Sequence, residues 1–141
     1  MAIELPESAK DLIRSGALGH LVTIEPDGSA QATCVWVAVD GSDLVTAHLS
    51  TSQRKLANVK RDPRVVLSFE GGEIQPPGLR QYLVIRGHAY IEEGGAPELL
   101  QTLAYTYLGP DAVFPPMDDP PAGVRMRIKV ERIGGVGPWV E

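Results

Sequence analysis

Aspartate-glycine pairs separate β-rich runs at two places, in Pro26-Asp27-Gly28-Ser29 and in Asp40-Gly41-Ser42-Asp43. Glycine accepts the positive φ angles of a tight turn, so each pair predicts a β-hairpin. The flanking runs, residues 18–25, 31–39 and 44–49, are therefore expected to pair antiparallel. Three more runs read as strands. Residues 64–70 and 80–92 flank a glycine- and proline-rich loop at 71–79, and the last strand alternates Val124, Met126, Ile128 and Val130 with charged neighbours. In the longest run Leu83, Ile85, Ala89 and Ile91 share one face, and Tyr82, Val84, Arg86, His88 and Tyr90 share the other. Gly87 falls on the apolar face, where a missing side chain admits a close backbone or relieves curvature.

Helices are expected at residues 6–15 and 97–108, with a short one between them that starts after Ser52 and stops at Asp62-Pro63. Residues 109–123, rich in proline and aspartate, should be irregular, as a lid or a wrapping loop. Six strands joined mostly by hairpins predict a mainly β protein with peripheral helices, its antiparallel sheet closing into a small barrel. All 141 residues read as a single domain without internal repeat. A barrel this small is filled by its own side chains, so a sizeable ligand must lie on its outer surface or against a second subunit. The outward face carrying Tyr82, Val84 and Tyr90 suits such an interface.

Charge and composition narrow the function classes. A formal charge of −5 does not supply the clustered cations of a nucleic-acid surface. No apolar run approaches the roughly 20 residues of a membrane helix, and the N-terminus lacks the basic start and apolar stretch of a signal peptide. One cysteine, Cys34, excludes an internal disulfide, and the cytoplasm is the default compartment.

The segment 50–65 carries the chemistry. Ser50, Thr51 and Ser52 stand where the third strand hands over to the short helix, with Ser52 expected as N-cap and Leu56 and Val59 facing the core. The first turn then carries Arg54 and Lys55, at the end of a helix that is already partly positive. Cations, free amide groups and hydroxyls together suit a phosphate or carboxylate, the alternative being an ordinary solvated basic turn.

These elements and residues resemble the pyridoxamine 5'-phosphate oxidase-like family, and within it the branch that uses the deazaflavin coenzyme F420. The resemblance rests on Asp27-Gly28 with Gln31, Thr33 and Val35, on Arg54-Lys55-x-x-Asn58, on Asp62-Pro63-Arg64-Val65, on Arg86-Gly87-His88-Ala89 and on the terminal Gly137-Pro138-Trp139. It implies a six-stranded split β-barrel of the FMN-binding type and a homodimer with cofactor sites in grooves between subunits. By the same resemblance Arg54 and Lys55 hold the cofactor phosphate with Ser50, Thr51 and Ser52. Thr33, Cys34 and Val35, with His48 and Leu49, line the ring, and Gln81 or Tyr82 and Trp139 come from the partner subunit. Gln31 and Asn58 belong to the same motif set. The arginine-rich C-terminal substrate motif of the vitamin B6 oxidases is missing. The implied activity is an F420-dependent reductase passing hydride to a small unsaturated acceptor. Flavin mononucleotide is the alternative cofactor, and a cofactor-storage module without turnover is the alternative role.

The remaining reactive side chains have plainer readings. Cys34 sits without an evident base and reads as a small hydrophobe rather than a catalytic thiol. His20, His48 and His88 lack metal-ligand spacing, so no metal site is expected. Trp36 reads as core or interface, and Trp139, on a glycine-rich tail, as a residue closing the site. No catalytic triad or P-loop appears, which suits chemistry carried by a cofactor.

Overall fold

A computed structural model describes residues 3–75 and 78–140, with helices α1 (Glu7–Arg14), α2 (Arg54–Arg61) and α3 (Ala96–Tyr107). The strands are β1 (Gly19–Ile24), β2 (Ala30–Val35), β3 (Ala38–Asp40), β4 (Asp43–His48), β5 (Arg64–Gln75), β6 (Leu79–Glu93) and β7 (Val124–Val136). Both aspartate-glycine pairs make their turns: Gly28 and Gly41 have φ of 87° and 64°, and the Asp27 carboxylate accepts the Ser29 N–H.

Seven antiparallel strands form one sheet in the order β2-β1-β5-β6-β7-β4-β3. The count exceeds the expected six because residues 31–39 break at Trp36-Val37. There the Val37 N–H donates to the Tyr107 hydroxyl at 3.1 Å instead of to a neighbouring strand. β2 and β3 are thus the two edges of the sheet and also consecutive in the chain, so the sheet curls into a barrel split at that seam. The fold is the expected mainly β split barrel with peripheral helices.

The interior is packed solid. Leu21, Leu44, Leu67, Phe69, Leu83, Ile85, Met126, Ile128 and Val130 are at most 1% exposed, and α1 closes one side with Ala9, Leu12 and Ile13. Gly87 behaves as its sequence position predicts: a Cβ there would lie 2.1 Å from the Lys129 carbonyl oxygen, beside a bulge that leaves Glu131 unmatched.

Three boundaries differ from the sequence reading. Gln53, not Ser52, precedes α2 and no side chain caps it. The segment 71–79 is largely strand, since β5 runs to Gln75 and β6 starts at Leu79, while Pro76 and Pro77 of the expected loop lie outside the described residues. The glycine-rich tail continues β7 to Val136, and Trp139 is 7% exposed in the core, its indole N–H donating to the Tyr82 carbonyl at 3.1 Å. Among the described residues no helix is long and apolar enough to cross a membrane.

Candidate functional site

α2 packs over β1 with Leu56, Asn58 and Val59 buried. A helix turns about 100° per residue, so the adjacent Arg54 and Lys55 leave it in different directions. Arg54 points to the exposed rim and pairs with Glu25 at 3.3 Å. Lys55 turns into a cavity of about 340 Å³ on the outside of the barrel. Burial depresses its pKa, and among the described residues no carboxylate pairs with it.

The same cavity takes Cys34, Val35 and Trp36 from the end of β2, Ala47 and His48 from the end of β4, and Gln53 before the helix. Its apolar wall is completed by Leu18 and by Leu100 and Phe114. His48 is 5% exposed and its Nε2 hydrogen-bonds the Thr46 hydroxyl at 2.7 Å. Burial, reinforced by the Lys55 charge, pushes its pKa down to about 4, so the imidazole is neutral near pH 7. Gln53 lies near enough to His48 to act on its proton affinity, yet the Gln53 Oε1 is buried with no hydrogen bond of ordinary geometry. An ammonium without a carboxylate partner suits an anionic group, the unmatched buried oxygen suits an N–H donor, and the apolar slot between them suits a flat ring.

The other expected site residues fall elsewhere. Ser50, Thr51 and Ser52 are exposed in the turn leading into Gln53, with the Ser50 and Ser52 hydroxyls 3.0 Å apart, and Leu49 is half-buried beside them. Gln31 and Asn58 are not in the cavity. They form a polar network behind α2 in which the Asn58 carboxamide donates to Thr23 Oγ1 (3.0 Å) and Glu25 Oε1 (2.8 Å), and more weakly to Gln31 Oε1. Arg61 closes it by donating to Asn58 Oδ1 and to the Ile24 carbonyl. Thr33 and Cys34, as neighbours on a strand, face opposite sides. Cys34 is exposed, whereas the Thr33 hydroxyl is buried without a hydrogen-bond partner among the described residues. Gln81 lines a separate shallow cavity with His20 and Ser68, and within its own protomer Trp139 is core. His88 pairs with Glu131 at 2.7 Å, and no metal-holding cluster occurs among the described residues.

Sequence reasoning missed Leu18, Ala47, Gln53, Leu100 and Phe114, and gave Trp36 no ligand role. Phe114 carries a usable signal: a lone aromatic inside a proline-rich irregular segment needs a surface to cover. That surface is Trp36, whose ring lies 5.2 Å from Phe114 and stacks on Tyr107 at 5.3 Å and 11°.

A larger cavity, about 600 Å³, lies away from this cluster, on the outer face between Val22, Val66, Arg86 and Arg132. It holds no unmatched buried polar atom, so the smaller cavity is the better candidate.

A family model described as Pyridoxamine 5'-phosphate oxidase matches residues 5–137. Among solved structures, an F420 reductase superposes with a TM-score of 0.73 at 29% identity, over 92% of this chain and 98% of that one. A conserved hypothetical protein from Mycobacterium tuberculosis gives 0.71 at 26% identity, over 95% and 85%. General Stress Protein 26 from Bacillus anthracis shares the fold at 0.66 and 18% identity, over 92% of each chain. A comparison with curated proteins returns no match.

Proposed function

This chain belongs to the pyridoxamine 5'-phosphate oxidase family, and from that premise we propose a homodimeric oxidoreductase that binds coenzyme F420 and passes hydride to a small unsaturated acceptor. The observation that carries this reading is Lys55, a half-buried cation without a carboxylate partner among the described residues, turned into a cavity with an aromatic wall. The likeness to an F420 reductase at 29% identity favours F420 over flavin mononucleotide, which uses the same kind of phosphate grip.

When bound, the reduced ring supplies a hydride, and the protein supplies binding, orientation and electrostatics. Lys55 faces the phosphate, and the hydroxyls of Ser50, Thr51 and Ser52 complete its shell from the adjoining turn. Arg54 adds charge from the rim while engaged with Glu25. Val35, Trp36 and Ala47 exclude water from the ring. His48, neutral and fixed by Thr46, would help to orient the ring and carries no imidazolium proton to release near pH 7.

The dimer is supported by the uncovered outer face of β1, β5 and β6. Tyr82 and Tyr90 are 40% and 53% exposed there, beside the half-buried Val84. Arg86 faces Arg132 directly across β6 and β7, and neither has an ion pair among the described residues. Like charges in register destabilise a sheet until an outside anion or a partner's carboxylate joins them.

Titration of the purified protein with F420 and with flavin mononucleotide, followed by tryptophan quenching, tests the reading. F420 should bind more tightly, and Lys55→Ala should weaken it by about 10- to 100-fold, the worth of one charged hydrogen bond. Unchanged affinity in a folded Lys55→Ala protein refutes the phosphate assignment.

A further inference from the structure

Gln101, on α3, holds the proline-rich segment by both ends of its carboxamide. Its Nε2 donates to the Ala112 carbonyl at 2.9 Å, and its Oε1 accepts the Phe114 N–H at 3.0 Å. Phe114 is thereby set against Trp36, which is itself stacked on Tyr107. The Tyr107 hydroxyl accepts the Val37 N–H and donates to the Ala17 carbonyl at 2.9 Å. Phe114, Trp36 and Tyr107 are each fixed by a hydrogen bond or a ring contact, so the segment 109–123 acts at Phe114 as a fixed wall and not as a lid.

We propose that Phe114, positioned by Gln101, is the specificity-determining residue of the cavity and limits the acceptor to flat, uncharged molecules without bulk directed at α3. The inference rests on the cofactor reading above. At about 340 Å³ the cavity is at the small end of the range for small-molecule sites, so a flavin-type ring and a flat acceptor together fill it. The remaining wall is Leu18, Leu100, Phe114 and Trp36, which offers an acceptor carboxylate or phosphate no partner. A substituent pointing at α3 meets Leu100 and Phe114, and with Gln101 holding the backbone Phe114 yields only by a rotamer change that gives up its contact with Trp36.

Calorimetric binding of menadione and of its 3-cyclohexyl derivative tests this, on cofactor-free protein and on protein saturated with oxidised F420, which does not turn over. Wild-type protein should prefer menadione by about 10-fold or more, in keeping with the discrimination apolar pockets achieve by size. Phe114→Ala should bring the two ligands to within about three-fold, and Gln101→Leu, which leaves the ring in place but releases its backbone, should do the same. The ratio of kcat/KM values for the two quinones should follow in the reduced, loaded enzyme. An unchanged preference in either variant, or no binding of menadione, overturns the proposal. Lys55→Ala should weaken F420 while leaving the quinone preference intact, so the cofactor reading and the acceptor wall fail separately.

Discussion

Two polar clusters flank α2, and they differ in one respect. Behind the helix, Asn58, Thr23, Glu25, Gln31 and Arg61 answer one another, so that each donor of the Asn58 amide finds an acceptor and its oxygen finds Arg61. In front of it, among the described residues, Lys55 has no carboxylate partner, Gln53 Oε1 is buried and unmatched, and His48 is held neutral. Both sets are polar, and Lys55 and Asn58 come from the same motif. A closed network has spent its hydrogen bonds on the fold, whereas an open one keeps them for something that arrives. That is why we read Asn58 and Gln31, which the family pattern groups with the cofactor residues, as structural members of the barrel, and propose Lys55 as the binding group.

The contrast can be broken most forcefully at Asn58. Replacing it with leucine strands several buried polar groups, so thermal unfolding should show a loss of about 3 kcal/mol. F420 affinity measured below the new melting point should stay within about three-fold of wild type if the network is purely structural. A large loss of affinity with unchanged stability would merge the two clusters.

His48 sharpens the contrast through pH. The folded protein resists protonating this ring until about pH 4, whereas an unfolded chain takes up the proton near 6.5. Stability from this group is therefore complete above 6.5 and lost as pH falls from 6.5 to 4, by up to about 3 kcal/mol. His48→Gln should flatten that part of the stability curve, as read by urea unfolding at stepped pH.

A smaller effect is expected at alkaline pH. Because burial lowers the Lys55 pKa below its ordinary value of 10.5, F420 affinity should decline at a lower pH than an exposed lysine would give. Lys55→Arg should move that decline upward. The smallest change is expected for Arg54→Ala. Arg54 is an exposed partner of Glu25, and such pairs are worth about 0–1 kcal/mol, so F420 should bind within about five-fold of wild type.

Local chemistry made much of the barrel readable in advance. Asp27-Gly28 and Asp40-Gly41 announced the hairpins, and the alternation along β6 and β7 announced which face is core. The position of Gly87 left open a close backbone or a relief of curvature, and the structure shows the former at Lys129. Features set by distant partners were not readable. The break at Trp36-Val37 depends on a hydroxyl 70 residues away. Trp139 reads as closing the site because it follows glycines, but Gly134 and Gly135 continue a strand paired with β6 and Trp139 is buried in the core. The motif marked both Arg54 and Lys55 as cations, and only the position of α2 over β1 decides which of them turns into the cavity. The aromatic wall was hidden for the same reason, since Trp36 and Phe114 meet only through the return of α3.

The phenol of Tyr107 ties these regions into one mechanical unit. It grips the amide of Val37 at the seam and the carbonyl of Ala17 before β1, while its ring backs Trp36. Peeling α3 from the barrel would strand two main-chain groups and free the indole in the same motion. Loosening of the seam and collapse of the slot are therefore a single cooperative opening, for which deuterium uptake at the Val37 amide is the natural clock.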